Sequence, residues 1–198
     1  MKHLLTLILA TVFCSARAGA ATTYLESVSG DLSSNNLAPT PLSFSAGINK
    51  VAGTMGGDPG DGIPLDPDFF SFTIAPGLEL TSIRVLLYSP PGQSFYAIAL
   101  GTSINNTSSS DHLSNILVNG TGEILDKLDA GSYSGGLGFT APLGAGTYTA
   151  WFQELASVVT YEMDYTLTAV PEPSRAVLLA AGFGICLLRR RRREQVPA

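Results

Sequence analysis

Four aspartates crowd one short stretch: Asp58, Asp61, Asp66 and Asp68, among Gly56, Gly57, Gly60, Gly62, Pro59, Pro64 and Pro67. Carboxylates beside free backbone carbonyls are the chemistry of a hard cation. Ca2+ takes about six to eight oxygen ligands, which flexible acidic loops can supply. The stretch has neither the ordered ligand spacing nor the closing glutamate of an EF-hand. Asp, Pro and Gly are also ordinary turn formers, so a solvated loop is the alternative. If an ion binds, Asp66 and Asp68 are expected to lead, because they enter the following strand and so have fixed directions. No other cofactor is implied.

Catalytic patterns are sparse. Between residues 21 and 170 the only histidine is His112 and there is no cysteine. The G-x-S-x-G and H-E-x-x-H patterns are missing from the sequence. Asp111 and His112 lie in a serine-rich loop, 101–114, but adjacent residues are not the usual source of triad geometry, and a lone loop histidine is expected in solvent. Carboxylate pairs for glycoside hydrolysis are defined by spatial separation, which spacing along the chain does not give. A non-enzymatic protein is therefore expected, with a hydrolase least supported. Aromatics offer a second binding chemistry, stacking on sugars. Tyr88, Phe95, Tyr96, Tyr133, Tyr148, Trp151, Phe152, Tyr161 and Tyr165 lie on or near expected strands. Most are expected in the core, with Tyr96 and Tyr133 the best candidates for exposure. Asn106-Thr107-Ser108 and Asn119-Gly120-Thr121 match glycosylation sequons.

The elements that must position these groups are strands. Phe70, Phe72 and Ile74 alternate with Ser71 and Thr73, and Ile83, Val85 and Leu87 share one face of a run over 80–88. Further strands are expected over 24–28, 42–48, 50–54, 95–100, 116–118, 147–154 and 158–169, with one helical turn over 123–128. The last two strands are expected to pair as a hairpin across 155–157. Loops are expected over 33–41 and 56–68, and a glycine-rich one over 131–138. Frequent Pro and Gly disfavour helices. The fold class is all-β: a single antiparallel β-sandwich, jelly-roll-like, over 21–169.

The two ends differ from this body. Lys2 precedes an apolar run, 4–14, and Ala18-Gly19-Ala20 offers small residues at a cleavage site, so 1–20 is expected to be a signal peptide. At the other end, Pro171-Glu172-Pro173 precedes an apolar run, 176–188, and then Arg189, Arg190, Arg191, Arg192 and Arg193. Prolines on both sides of Glu172 keep that triplet extended and exposed, as a protease subsite requires. As a helix, the apolar run spans about 20 Å, short of the ~30 Å hydrocarbon core. The arginines hold the end of the chain on the cytoplasmic side, leaving the body outside.

This ordered tail, 170–198, resembles a PEP-CTERM sorting signal, also known under an ice-binding-protein C-terminal label. The resemblance implies a Gram-negative exporter and recognition of Pro171, Glu172 and Pro173 by an exosortase-type membrane protease. It further implies a short transmembrane helix that tethers the precursor transiently to the inner membrane. The mature protein would then reside in the periplasm, at the cell surface or in an extracellular, exopolysaccharide-rich matrix. A plain tail anchor is the alternative. The runs 68–74, 80–83 and 144–148 are similar to the prepeptidase C-terminal type of jelly roll, which implies fold more than function.

Charge follows the same division. Residues 21–170 carry three basic side chains, Lys50, Arg84 and Lys127, against fourteen acidic ones. Such a body repels nucleic acid and favours cations. Both cysteines, Cys14 and Cys186, fall in the targeting segments, so the mature domain has no disulfide. The expected function is that of an exported, non-enzymatic surface or matrix protein. A carbohydrate- or calcium-binding module is the alternative.

Overall fold

The structure, a computed structural model, describes residues 21–57, 60, 62–131 and 133–170. The expected signal segment, Asp58, Asp61 and everything from Pro171 onward lie outside the described residues. Among the described residues no helix is long and apolar enough to cross a membrane.

The described residues are all-β, with ten strands in two five-stranded sheets. One sheet contains β1 (Thr23–Leu25), β3 (Gly47–Gly56), β5 (Leu78–Ser89), β8 (Gly122–Glu123) and β10 (Val158–Ala169), in the order β1-β3-β10-β5-β8. The other contains β2 (Thr40–Leu42), β4 (Asp68–Ile74), β6 (Ser94–Leu100), β7 (His112–Val118) and β9 (Gly146–Gln153), in the order β2-β4-β9-β6-β7. Two short helices are added, α1 (Glu26–Ser29) and α2 (Leu125–Ala130). From β3 onward one pairing rule holds. β3 pairs with β10, β4 with β9, β5 with β8 and β6 with β7, all antiparallel. These are the rungs of one long hairpin whose tip joins β6 to β7, with alternate rungs falling in alternate sheets. Ladders between β10 and β5 and between β9 and β6 complete each sheet.

Period-two patterning fills one core from both sheets. On β10, Val159, Tyr161, Met163, Tyr165 and Leu167 are buried, while the residues between them face outward. Phe72 of β4 lies 5.7 Å from the Tyr165 ring, and Phe152 of β9 meets Tyr161 edge-on at 5.0 Å. Tyr96 and Tyr165, from opposite sheets, share a hydroxyl hydrogen bond of 3.0 Å. Burying such side chains contributes about 1.5–3 kcal/mol each.

Three expectations change. First, β9 and β10 are not a hairpin, because they belong to different sheets. The buried Glu154 carboxylate bends the chain between them. Its Oε1 accepts from the Leu155 and Ala156 N–H groups, and its Oε2 from Ser94 and Tyr88 hydroxyls. Second, the strand expected over 42–48 is a corner, and β3 begins only at Gly47. Asn49, fully buried, fixes that corner: its Oδ1 accepts from Thr22 and Ser45 N–H, and its Nδ2 donates to the Ser45 and Gly47 carbonyls. Third, the fold is not wholly antiparallel, since β1 joins β3 and β2 joins β4 in parallel.

Asn49→Ala strands several buried backbone groups together, and is expected to cost about 2–4 kcal/mol of stability. Urea denaturation measures this, and a loss below about 0.5 kcal/mol, the range of ordinary surface changes, would show that the corner holds without the side chain.

Candidate metal centre

The N-terminal segment builds the site. β1 runs beside β3 for three residues, with Leu25 opposite Ala52, and then the chain coils into α1 and reverses at Gly30, whose φ is 93°. Past that point the edge of β3 has lost its partner strand, and the Glu26 side chain replaces it. Its Oε2 accepts the Thr54 N–H at 2.7 Å, and its Oε1 accepts the Leu32 N–H at 3.0 Å. Gly53 makes this possible, because a Cβ there would collide with the Glu26 carboxylate. Leu32 then enters the core, Phe69 N–H donates to the Ser33 carbonyl at 2.9 Å, and β2 lies down beside β4. Residues 23–42 thus form a strap from the edge of one sheet to the edge of the other.

Three carboxylates converge under this strap. Glu26 and Asp31 come from the strap itself and Asp68 from the first position of β4, with one oxygen of each within 4.8 Å of the others. Their burial is graded. Asp68 is 0 % exposed, Glu26 is half-buried and Asp31 is exposed. The Tyr161 hydroxyl, reaching across from β10, donates to Asp68 Oδ2 at 2.6 Å. Asp68 Oδ1 is buried with no hydrogen-bond partner among the described residues. Leaving such an atom unsatisfied costs about 1–3 kcal/mol or more.

The electrostatics are strained in the same direction. Burial pushes the Asp68 carboxyl up to about 9, and the charges of Glu26, Asp66 and Asp31 add to this against the opposing Tyr161 hydrogen bond. Burial also raises Glu26, opposed by its two backbone N–H donors. The charges acting on Asp68 are all negative. An all-oxygen donor set without nitrogen or sulfur suits a hard divalent cation, Ca2+ before Zn2+. A surface depression lined by Glu26, Asp31, Gly53, Thr54, Tyr161 and Glu162 opens beside it, so water could complete a coordination shell.

The sequence-derived candidates separate here. Asp68 is the buried member of the triad. Asp66 pairs its backbone with Gly56, at 2.7 and 3.0 Å, and its carboxyl stays outside the group of three, contributing only its field. Asp58 and Asp61 lie outside the described residues. Glu26 and Asp31 carried no spacing signal, since they belong to a segment far upstream of the acidic loop.

The other candidate groups are structural. His112, expected in solvent, is 1 % exposed at the start of β7. Its Nε2–H donates to the Asn105 carbonyl at 2.7 Å, and its Nδ1 accepts from Asn115. Tyr96, expected to be exposed, is 0 % exposed, whereas Tyr133 is 65 % exposed as expected. Phe95 and Trp151 are half-buried on the outer face of their sheet, 4.7 Å apart, against a small cluster of Phe69, Ala97, Ala99 and Ile104.

No protein-family model, curated protein or solved structure matches the chain.

Gly53→Ala displaces the Glu26 carboxylate and frees the Thr54 and Leu32 N–H groups. It is expected to cost about 1–3 kcal/mol in chemical denaturation. Stability equal to that of the parent would mean that Glu26 does not need its place on the β3 edge.

Proposed function

We propose that the chain is an exported, non-enzymatic protein of the cell surface or matrix whose jelly-roll β-sandwich carries a structural Ca2+ at Glu26, Asp31 and Asp68. The observation that carries the cation reading is Asp68 Oδ1, buried without a partner inside a cluster of like charges. The strand order supports the jelly-roll assignment. Eight strands paired as one folded hairpin and split between two sheets, with a core drawn from both, support that reading.

The end of the body supports the sorting reading. β10 closes at Ala169, and the Val170 N–H makes a last backbone bond to the Gly77 carbonyl at 2.9 Å. Pro171-Glu172-Pro173 follows immediately, so the sorting triplet begins where the ladder stops. An exosortase-type protease is the partner for that triplet, and Arg189 to Arg193 hold the precursor at the inner membrane until processing. The exopolysaccharide matrix is the destination.

Two measurements test this. Mass spectrometry of the surface fraction in the native host is expected to find a C-terminus near Pro171-Glu172-Pro173. Mature protein that retains Arg189 to Arg193 would indicate a plain anchor. For the cation, the metal-free full chain in mild detergent is expected to gain about 2.7 kcal/mol when Ca2+ reaches a hundred times its Kd, raising Tm by roughly 5–10 °C. Melting curves that coincide in Ca2+ and in EDTA would overturn the cation reading.

A further inference from the structure

We propose that the cation is the clasp of the N-terminal strap: residues 23–42 dock firmly on the body when Ca2+ is bound and loosen when it is removed. This rests on the cation reading above and adds what the ion controls.

The argument starts from where the ligands sit. Two of the three carboxylates, Glu26 and Asp31, belong to the strap, and the third, Asp68, belongs to the body. An ion shared among them is therefore a cross-link between strap and body rather than a brace within either. Without an ion the junction sets the charges of Glu26, Asp31 and Asp66 around the Asp68 carboxyl, and together with burial they disfavour its ionised form. Like charges at this spacing repel, and burial weakens the screening that water would provide.

The other attachments of the strap are thin. β1 and β2 are three residues each, and each makes a parallel ladder at a sheet edge. Between them the strap is held by the buried Leu32, by the Ser33 bridge to Phe69 and by a reciprocal pair between Asn36 and Ile104, at 2.7 and 3.2 Å. The long β10–β3 and β10–β5 ladders do not pass through it. Segments with short ladders and few buried side chains open before the rest of a fold. An interaction that both halves of the junction share then decides whether the segment is closed.

Asp68 is the buried end of the link. Its Oδ1 has no partner among the described residues, while Oδ2 is committed to Tyr161. Tyr161 sits in the core of the opposite sheet. The ion would thus tie the strap to the seam between the sheets. Three carboxylates offer at most six oxygens, with three already accepting hydrogen bonds. Water from the neighbouring depression completes the shell. A site with few protein ligands and one exposed carboxylate belongs to the weak class of extracellular Ca2+ modules, with Kd near ~10⁻⁴–10⁻³ M. Release of the strap would also bare the outer edges of β3 and β4, whose open N–H and C=O groups are templates for pairing with another chain.

Hydrogen–deuterium exchange on the full chain in mild detergent tests this, with EDTA, Ca2+ and Mg2+ arms and calorimetric titration of each metal alongside. Saturating Ca2+ is expected to slow exchange over 23–42 by about tenfold or more, which corresponds to ~1.4 kcal/mol of local closure. Exchange in β5 and β10 should change far less. Asp31→Asn, a surface change compatible with folding, is expected to abolish the effect, as is Asp68→Asn. Measured Ca2+ binding that leaves 23–42 unaltered would overturn the clasp while leaving the cation reading intact. Absence of any binding would overturn both. Equal protection by Mg2+ would overturn the assignment to Ca2+.

Discussion

Burial of the Asp68 carboxyl governs the architecture of this end of the molecule. Buried polar groups must find partners, and a chain that cannot supply them loses stability for each one left over. The core places Tyr161 against Phe152 with its hydroxyl pointing to the seam, and that hydroxyl needs an acceptor. Asp68 provides it from the other sheet, across the gap between β10 and β4. The requirement is thereby passed on, since a carboxylate has two oxygens. Elsewhere the same rule closes on itself. Tyr96 and Tyr165 satisfy each other, Glu154 accepts from two hydroxyls and two N–H groups, and Asn49 uses both ends of its amide. Among the described residues Trp151 Nε1 and Asp164 Oδ1 are also buried without a hydrogen-bond partner, but Asp68 is the one that meets a cluster of further acids.

How much of the fold could be read in advance depends on which interactions set it. Alternation placed β4, β5 and β10, and it gave the inward residues of β10 and of β4. On β5 it held for Ile83 and Val85 but not for Leu87, which is exposed because an irregularity in the β10 ladder turns Tyr88 inward instead. Pairing is different. Adjacent strands with a short connection invite a hairpin, yet Glu154 turns the chain into the other sheet through contacts with Tyr88 and Ser94, residues distant in sequence. The corner before β3 has the same origin, because Asn49 looks like any polar strand residue until its partners at Thr22 and Ser45 are in place. The parallel edges β1 and β2 are set by a strap that crosses between sheets, which no local pattern records.

The candidate site was half legible for a related reason. Asp68 stood out because it opens a strand in a stretch dense with acids. Its partners could not, because Glu26 read as part of an edge strand over 24–28, which the structure ends at Leu25, and Asp31 looks like a turn residue. What brings them to Asp68 is the absence of a side chain at Gly53, the reversal at Gly30 and the docking of Leu32 in the core. Density of acids along the chain therefore singled out one member of the triad, Asp68, and missed Glu26 and Asp31. Asp66, an equal candidate by spacing, spends its backbone on Gly56 and leaves its carboxyl outside the triad. His112 misled in the opposite sense: its loop setting suggested solvent, but Asn105 and Asn115 enclose it at the head of β7.

The charge balance of the body supplies no basic side chain as a countercharge for this cluster. The body has three basic side chains. Lys50 is engaged with Glu162 and Asp164 on the outer face of its sheet. Arg84 lies in register between Asp164 and Glu123, and Lys127 is on α2, away from the strap. None of these bases is among the groups that act on Asp68. A lysine or arginine placed at the seam would have neutralised the triad permanently and made the strap a fixed part of the core. An exchangeable ion, as proposed, would instead make closure conditional on the medium. A weak all-oxygen site fills only where Ca2+ is plentiful, which is the case outside the cell and not in the cytoplasm. On the proposed reading, the acidic triad and the two terminal segments expected to direct export agree on a Ca2+-rich medium outside the cytoplasm.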